Sequence, residues 1–267
     1  LSRASQWATR ITHEAALYSS NSFLTLTYDN DFLPSNLSVS VSVLQLFLKR
    51  LRKSLEPSRI RFVACGEYGT INSRPHYHLI IFGHGFEPDR YPWRKAPSGH
   101  ILYRSPALEK LWPYGACEIG SVTPQSGGYV ARYTLKKAFG AEAAQAPQYA
   151  RQRVDPLTGE VFSWFVSPEF FVSSRRPGIG DGWRKRHHAD AFPSGYVVHE
   201  GTKRSVPAFY VRKFQAEDPE AAERFMIERR KKAAELAALS SDGPTPLERH
   251  EFNLLTKERF ERDTGKT

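Results

Sequence analysis

Arg74-Pro75-His76-Tyr77-His78-Leu79-Ile80-Ile81-Phe82-Gly83 decides how the rest of the chain is read. β-Branched and aromatic side chains fill a pleated surface, while Pro75 and Gly83 interrupt one, so the run from Tyr77 to Phe82 predicts a buried strand. Side chains alternate along a strand, which places His76, His78, Ile80 and Phe82 on one face and the two imidazoles about 7 Å apart along the chain. At that spacing two ring nitrogens can meet on one metal ion.

Working outward, Arg59–Tyr68 reads as a second strand, and Gly69-Thr70-Ile71-Asn72-Ser73 as the turn of a hairpin. If Arg61, Val63, Cys65 and Glu67 share a face, antiparallel pairing carries Glu67 to the start of the partner strand, beside His76 and His78. One carboxylate and two imidazoles, without a thiolate, suit Mg2+, Mn2+ or another divalent ion with open coordination positions. An open position admits a substrate oxygen that the metal polarises.

The flanking sequence fills in the architecture. Trp7, Ile11, Leu17 and Tyr18 suggest a short helix within residues 1–20, and Phe23–Tyr28 alternates as a strand. Ser38–Leu55 carries an apolar stripe (Val41, Leu44, Leu48, Leu51, Leu55) opposite Lys49, Arg50, Arg52 and Lys53, and Pro57 ends that helix. Residues 84–105 read as loops, Pro106–Leu111 as a short helix, and the segment around Cys117–Val122 as a further strand. A helix is expected over Tyr129–Ala138, with Ser126 as its N-cap. The aromatic segment Phe162–Val172 is expected to pack back on the core, and two tail helices are marked by Asp218 and by the capping box at Thr245. The sum is an α+β domain with a central antiparallel sheet of about five strands, helices on one side, and a helical C-terminal tail. The domain is expected over residues 1–190, with an extension over 191–267.

The chain has 267 residues and a net charge of +10, and the part up to residue 216 holds 28 basic against 16 acidic side chains. A balance of +12 on the histidine-bearing part favours a polyanionic partner. No apolar run approaches the roughly 18 residues of a membrane span. The start at Leu1, without Met or a signal-peptide pattern, reads as a fragment rather than a secreted precursor. Cys65 and Cys117 are too few for a disulfide framework and read as core thiols in a reducing compartment.

A second constellation lies on the helix from Tyr129. Tyr129 and Tyr133 project from one face, with Lys136 a turn further on and Arg132 and Lys137 interleaved. A tyrosine attacking a phosphodiester needs such cations to offset the charge growing on phosphate and to favour phenolate. Two other readings of these features stay open: a noncatalytic single-stranded nucleic-acid-binding module, and a two-histidine, one-carboxylate iron oxygenase.

The ordered set Phe23-Leu24-Thr25-Leu26-Thr27-Tyr28, Gly66-Glu67-Tyr68-Gly69, Arg74-Pro75-His76-Tyr77-His78 and Tyr129-x-x-x-Tyr133-x-x-Lys136 resembles the HUH endonuclease superfamily, in its rolling-circle replication initiator branch. With Ser174-Arg175-Arg176-Pro177-Gly178-Ile179-Gly180, it is more narrowly similar to the initiators of gokushovirus-type microviruses, over residues 7 to about 183. The resemblance implies a two-tyrosine DNA nickase acting at a replication origin in the host bacterial cytoplasm. His76 and His78 would be metal ligands, Glu67 the third, Tyr129 and Tyr133 the nucleophiles, and Lys136 the lysine of the motif. A divalent ion is implied and no small-molecule cofactor, with single-stranded DNA and host replication proteins as partners. Arg74, Arg132, Lys137, Arg175 and Arg176 are expected to contact phosphates, with Tyr91, Trp93 and Tyr103 available for base stacking. The cysteine-rich leader of such proteins is not found ahead of Leu1, so an N-terminal element is expected to be missing.

Overall fold

A computed structural model describes residues 3–69, 72–132, 145–199 and 201–239. Tyr133, Lys136, Lys137 and the helix expected from Thr245 lie outside the described residues. The first compact unit is Leu1–Tyr210, and the second begins at Val211.

The first unit is built on a seven-stranded sheet in which every neighbouring pair is antiparallel. In chain order its strands are β1 (Asn21–Thr27), β2 (Arg61–Tyr68), β3 (Pro75–Phe82), β4 (Tyr91–Lys95), β5 (Ile101–Arg104) and β6 (Cys117–Gly120). A hairpin of β7 (Ala150–Val154) and β8 (Val161–Phe165) pairs only with itself before β9 (Phe170–Ser173) returns to the sheet. The spatial order is β4-β5-β6-β1-β3-β2-β9, so the histidine strand β3 lies between β1 and β2. The α+β antiparallel architecture read from the sequence is present, with more strands than expected: residues 84–105, taken as loops, contain β4 and β5.

Helices cover both faces of the sheet, not one. Leu24, Leu26, Tyr77, Leu79 and Ile81 pack with Leu44, Phe47, Leu48 and Leu51 of α2 (Val41–Ser54) and Leu108 of α3 (Pro106–Leu111). On the opposite face Val63, Cys65, Ile80 and Phe82 pack with Ile11 of α1 (Arg3–Ala15) and with Val130 and Ala131 of α4 (Pro124–Arg132). The reason is visible in β3, which is apolar on both sides of its pleat and so needs two covers. Each fully buried Leu or Phe on these faces contributes about 1.5–3 kcal/mol.

Helix α4 begins earlier than expected. The Thr123 hydroxyl oxygen accepts from the Ser126 amide at 3.1 Å, and the Ser126 hydroxyl accepts from the Thr123 amide at 2.8 Å. Thr123 therefore caps a helix whose first residue is Pro124, and Ser126 closes the box from inside. Gly127 then faces α1, where an added Cβ would come within 3.1 Å of Ile11 Cγ2. α1 itself is tied down by Arg10, whose Nε donates to the Ile179 carbonyl at 3.0 Å, and by Glu14, whose carboxylate accepts from Arg61 and from the Gly180 amide at 2.5 and 2.6 Å.

The aromatic segment from Phe162 is split. Val166 and Phe171 are buried as expected, whereas Phe162 and Phe165 are exposed on the free-standing hairpin. The remaining elements are α5 (Asp181–Arg186), α6 (His188–Ser194), the hairpin β10 (Tyr196–His199) and β11 (Thr202–Ser205), α7 (Ala208–Glu217) and α8 (Pro219–Leu239). α8 starts where Asp218 Oδ1 accepts from the Ala221 amide at 2.9 Å. Among the described residues no helix is long and apolar enough to cross a membrane.

Candidate active site

The registers of the three central strands assemble the site. Glu67 of β2 stands opposite His76 of β3, and His78 stands opposite Cys65 on one side and Thr25 of β1 on the other. Residues directly opposite share a face, so the carboxylate and both imidazoles point to the side covered by α1 and α4. His76 Nε2 and His78 Nε2 lie 2.8 and 2.7 Å from the same Glu67 oxygen, Oε1. From α4 the Tyr129 hydroxyl donates to that oxygen at 2.5 Å and stands 3.5 Å from His78 Nε2. Helix and hairpin thus bring Glu67, His76, His78 and Tyr129 to one point.

The far nitrogens of the rings are held as well. His76 Nδ1 donates to the Arg74 carbonyl at 3.0 Å, and His78 Nδ1 is 3.1 Å from Thr25 Oγ1. Phe23 stacks on His78 with ring centroids 5.4 Å apart, and the two histidine rings are nearly perpendicular. These contacts turn both Nε2 atoms toward Glu67. The sequence reading gave Phe23 and Thr25 no part in the site; the alternation of Phe23, Thr25 and Thr27 was the available signal, but only the β1–β3 register shows which strand they serve.

Electrostatics follow from burial and from this shared oxygen. Burial works to raise the Glu67 carboxyl, but the hydrogen bonds from His76, His78 and Tyr129 outweigh it and bring it down to about 2. Burial works to lower His76, yet the Glu67 carboxylate and the Arg74 carbonyl leave it raised. His78 is lowered, because its deeper burial prevails over Glu67. The Tyr129 phenol is pushed up by burial and by the Glu67 charge, against the pull of Arg132, whose guanidinium carbon lies 4.9 Å from its ring centroid.

The donor set fits a divalent cation. One carboxylate oxygen and two imidazole nitrogens lie within 4.8 Å of one another and include no sulfur. The expected phosphate contacts are more scattered. Arg74 is engaged by the Tyr28 carbonyl at 2.6 and 3.0 Å and by Asn30 Oδ1 at 2.9 Å. Arg175 and Arg176 are exposed just beyond Ser174, whose amide donates to the Phe62 carbonyl. Phe62 is five residues from Glu67, so that turn stands about 17 Å along β2 from the site. Tyr91 and Trp93 are exposed on β4, with Arg104 over the Trp93 ring at 4.9 Å.

Comparison with known proteins places this geometry. Replication-associated protein VP4 of Bdellovibrio phage phiMH2K is 32% identical over 251 residues, covering 90% of this chain and 72% of that protein. The chain belongs to the phage replication-associated protein family. A family model for replication-associated proteins of the ORF2 and gene II protein type matches residues 21–138, a span that takes in Glu67, His76, His78 and Tyr129. Replication-associated protein ORF4 of Chlamydia phage 1 is 35% identical over 143 residues, 51% of this chain and 35% of that protein. For Replication-associated protein ORF2 of Spiroplasma virus 4 the identity is 29% over 174 residues, 62% of this chain and 54% of that protein. No solved structure matches.

Proposed function

We propose that this chain is a metal-dependent single-stranded DNA nickase and strand-transferase that starts and ends rolling-circle replication of a phage genome through 5′-phosphotyrosine linkages. The observation that carries the reading is the Tyr129 hydroxyl seated on the oxygen shared by His76 and His78. A phenol at a Glu/His/His cluster, on a sheet with a basic chain around it, has a clear use in phosphoryl transfer and none in an iron oxygenase. Membership in the replication-associated family supports the same reading.

Glu67, His76 and His78 would hold the divalent ion, Mg2+ or Mn2+, which when bound supplies Lewis-acid polarisation of a phosphate oxygen. Tyr129 Oη attacks phosphorus as the bond to the 3′ oxygen breaks. The phosphate is left on the tyrosine, and the departing oxygen takes up a proton to give a free 3′-OH for a polymerase. Arg132, stacked on the Tyr129 ring, favours the phenolate against the opposing pull of burial and Glu67. Tyr133 is assigned as the second nucleophile, with Lys136 and Lys137 beside it, and cuts the regenerated origin after one round of synthesis. Because the phosphotyrosyl bond conserves the ester, rejoining needs no ATP. The nicking domain is assigned to residues 1–190 and a largely helical extension to 191–267. Single-stranded DNA at an origin and host replication proteins are the assigned partners, in the host cytoplasm.

The test is covalent capture. A labelled single-stranded origin oligonucleotide with Mn2+ should migrate as a protein adduct, and Tyr129→Phe or Tyr133→Phe alone should leave partial cleavage or lose only joining. The double substitution should abolish the adduct; full adduct from the double variant would remove both phenols from the chemistry. Binding without any adduct in the unaltered protein would favour the noncatalytic module.

A further inference from the structure

The β7–β8 hairpin is a detour the sheet does not need, and it leaves Val154, Leu157, Val161, Phe162 and Phe165 exposed. Its register sets Arg151 opposite Trp164 and Arg153 opposite Phe162, so one face of the ribbon carries two guanidinium groups across from two aromatic rings. Beside it lies a cavity of about 630 Å³ lined by Arg153, Phe162, Trp164, Phe165, Ser35 and Asn36, within the size range of small-ligand sites. Asp155 also lines it, but its Oδ1 is taken by the Leu157 and Thr158 amides at 2.8 and 3.2 Å.

The hairpin is fixed to the end of β2 that carries Glu67. Trp164 Nε1 donates to the Asn36 carbonyl at 3.0 Å, the Tyr68 hydroxyl donates to the Ser167 carbonyl at 2.6 Å, and Arg151 lies 5.2 Å from the Tyr68 ring centroid. A second cavity of about 410 Å³, lined by Tyr68, Gly69, Ser73, Tyr149, Arg151 and Glu169, lies between hairpin and site. Glu169 on its wall is near enough for its charge to act on His76. A path therefore leads from the Glu/His/His cluster over Tyr68 and Arg151 to Arg153 and Phe162, the last step being about 7 Å along β7. Guanidinium groups alternating with flat rings match the alternating phosphates and bases of an unpaired strand.

We propose that the β7–β8 hairpin is a base-binding arm: Phe162 stacks on an unpaired base of the DNA strand whose phosphate reaches Glu67, His76 and His78, and Arg153 neutralises a neighbouring phosphate. The identity of the strand rests on the nicking reading, so the test is made on binding alone. Fluorescence anisotropy of the full chain with labelled oligothymidylate in EDTA, over a range of NaCl, reads both side chains. Phe162→Leu keeps an apolar side chain but loses the ring, and should weaken binding about tenfold, while Phe162→Tyr binds as the parent does. Arg153→Gln should flatten the log–log salt dependence by about 0.7. Parental affinity and slope in both Phe162→Leu and Arg153→Gln would overturn the arm. So would a dimer, seen by light scattering, that Phe162→Leu dissociates with no change in DNA affinity, since the face would then belong to a second copy. Ring-dependent binding in a protein that forms no adduct with Mn2+ would keep the arm and remove the nickase reading.

Discussion

Glu67 Oε1 is approached by two imidazoles and a phenol, so its charge matters more than its shape. Glu67→Gln keeps the shape and should lower Mn2+ affinity, measured by titration calorimetry, with loss of adduct in parallel; unchanged affinity would take Glu67 out of the ligand set. One step further out, Thr25→Val removes the partner of His78 Nδ1 and should cost about tenfold in metal affinity. His76 adds a pH signature. Its titration is raised, so a proton still competes for Nε2 above the ordinary histidine range. Mn2+ affinity should therefore fall as pH is lowered from about 8 to about 6, approaching tenfold per unit for one displaced proton. An affinity flat across that window would leave His76 outside the ligand set. Glu67, His76 and His78 were legible because strand alternation and one hairpin register suffice to bring them together. Thr25 was not, because β1 is far from β3 in sequence and nothing local says that the two pair.

At the scale of elements, the position of Tyr129 depends on how closely α4 lies against α1. Gly127 permits that approach and Gly128 does not contribute to it: an added Cβ would press on Ile11 at the first and meet nothing within 4 Å at the second. Gly127→Val should destabilise the protein by about 1–3 kcal/mol through overpacking, and should depress adduct formation beyond the loss of folded protein because Tyr129 moves with the helix. Gly128→Ala should stabilise by about 0.5–1 kcal/mol, as alanine replaces glycine inside a helix. Urea denaturation of the pair decides it, and equal effects of the two would mean that α4 does not rest on α1 through Gly127. The helix was legible from its tyrosine spacing, but its start was not, since the Thr123–Ser126 exchange competes with the Ser126 cap that the sequence also offers. β4 and β5 were illegible for a related reason. β4 is an edge strand, exposed throughout, broken by a register shift and containing Pro92, so it shows none of the alternation that marks a half-buried strand.

For the whole molecule, charge and chemistry separate. The excess of 28 basic over 16 acidic residues up to position 216 was plain from the sequence, whereas the exposed arm was not, because aromatic residues such as Phe162 read as core until their ribbon is seen to pair only with itself. Affinity for DNA should come mainly from phosphate neutralisation, and cleavage from the Glu67, His76 and His78 cluster, so the two should respond to different perturbations. With single strands the salt slope is about −0.7 per neutralised phosphate, so even three contacts would cost more than about tenfold in affinity between 50 and 200 mM salt. Anisotropy in EDTA should show that loss in the parent protein and, with nearly the same slope, in His76→Ala, while only the parent gives adduct when Mn2+ is added. A salt-insensitive affinity would mean that the basic surface is not where the strand lies. If His76→Ala lost binding and cooperative unfolding together, the imidazole would be holding the sheet instead of a metal.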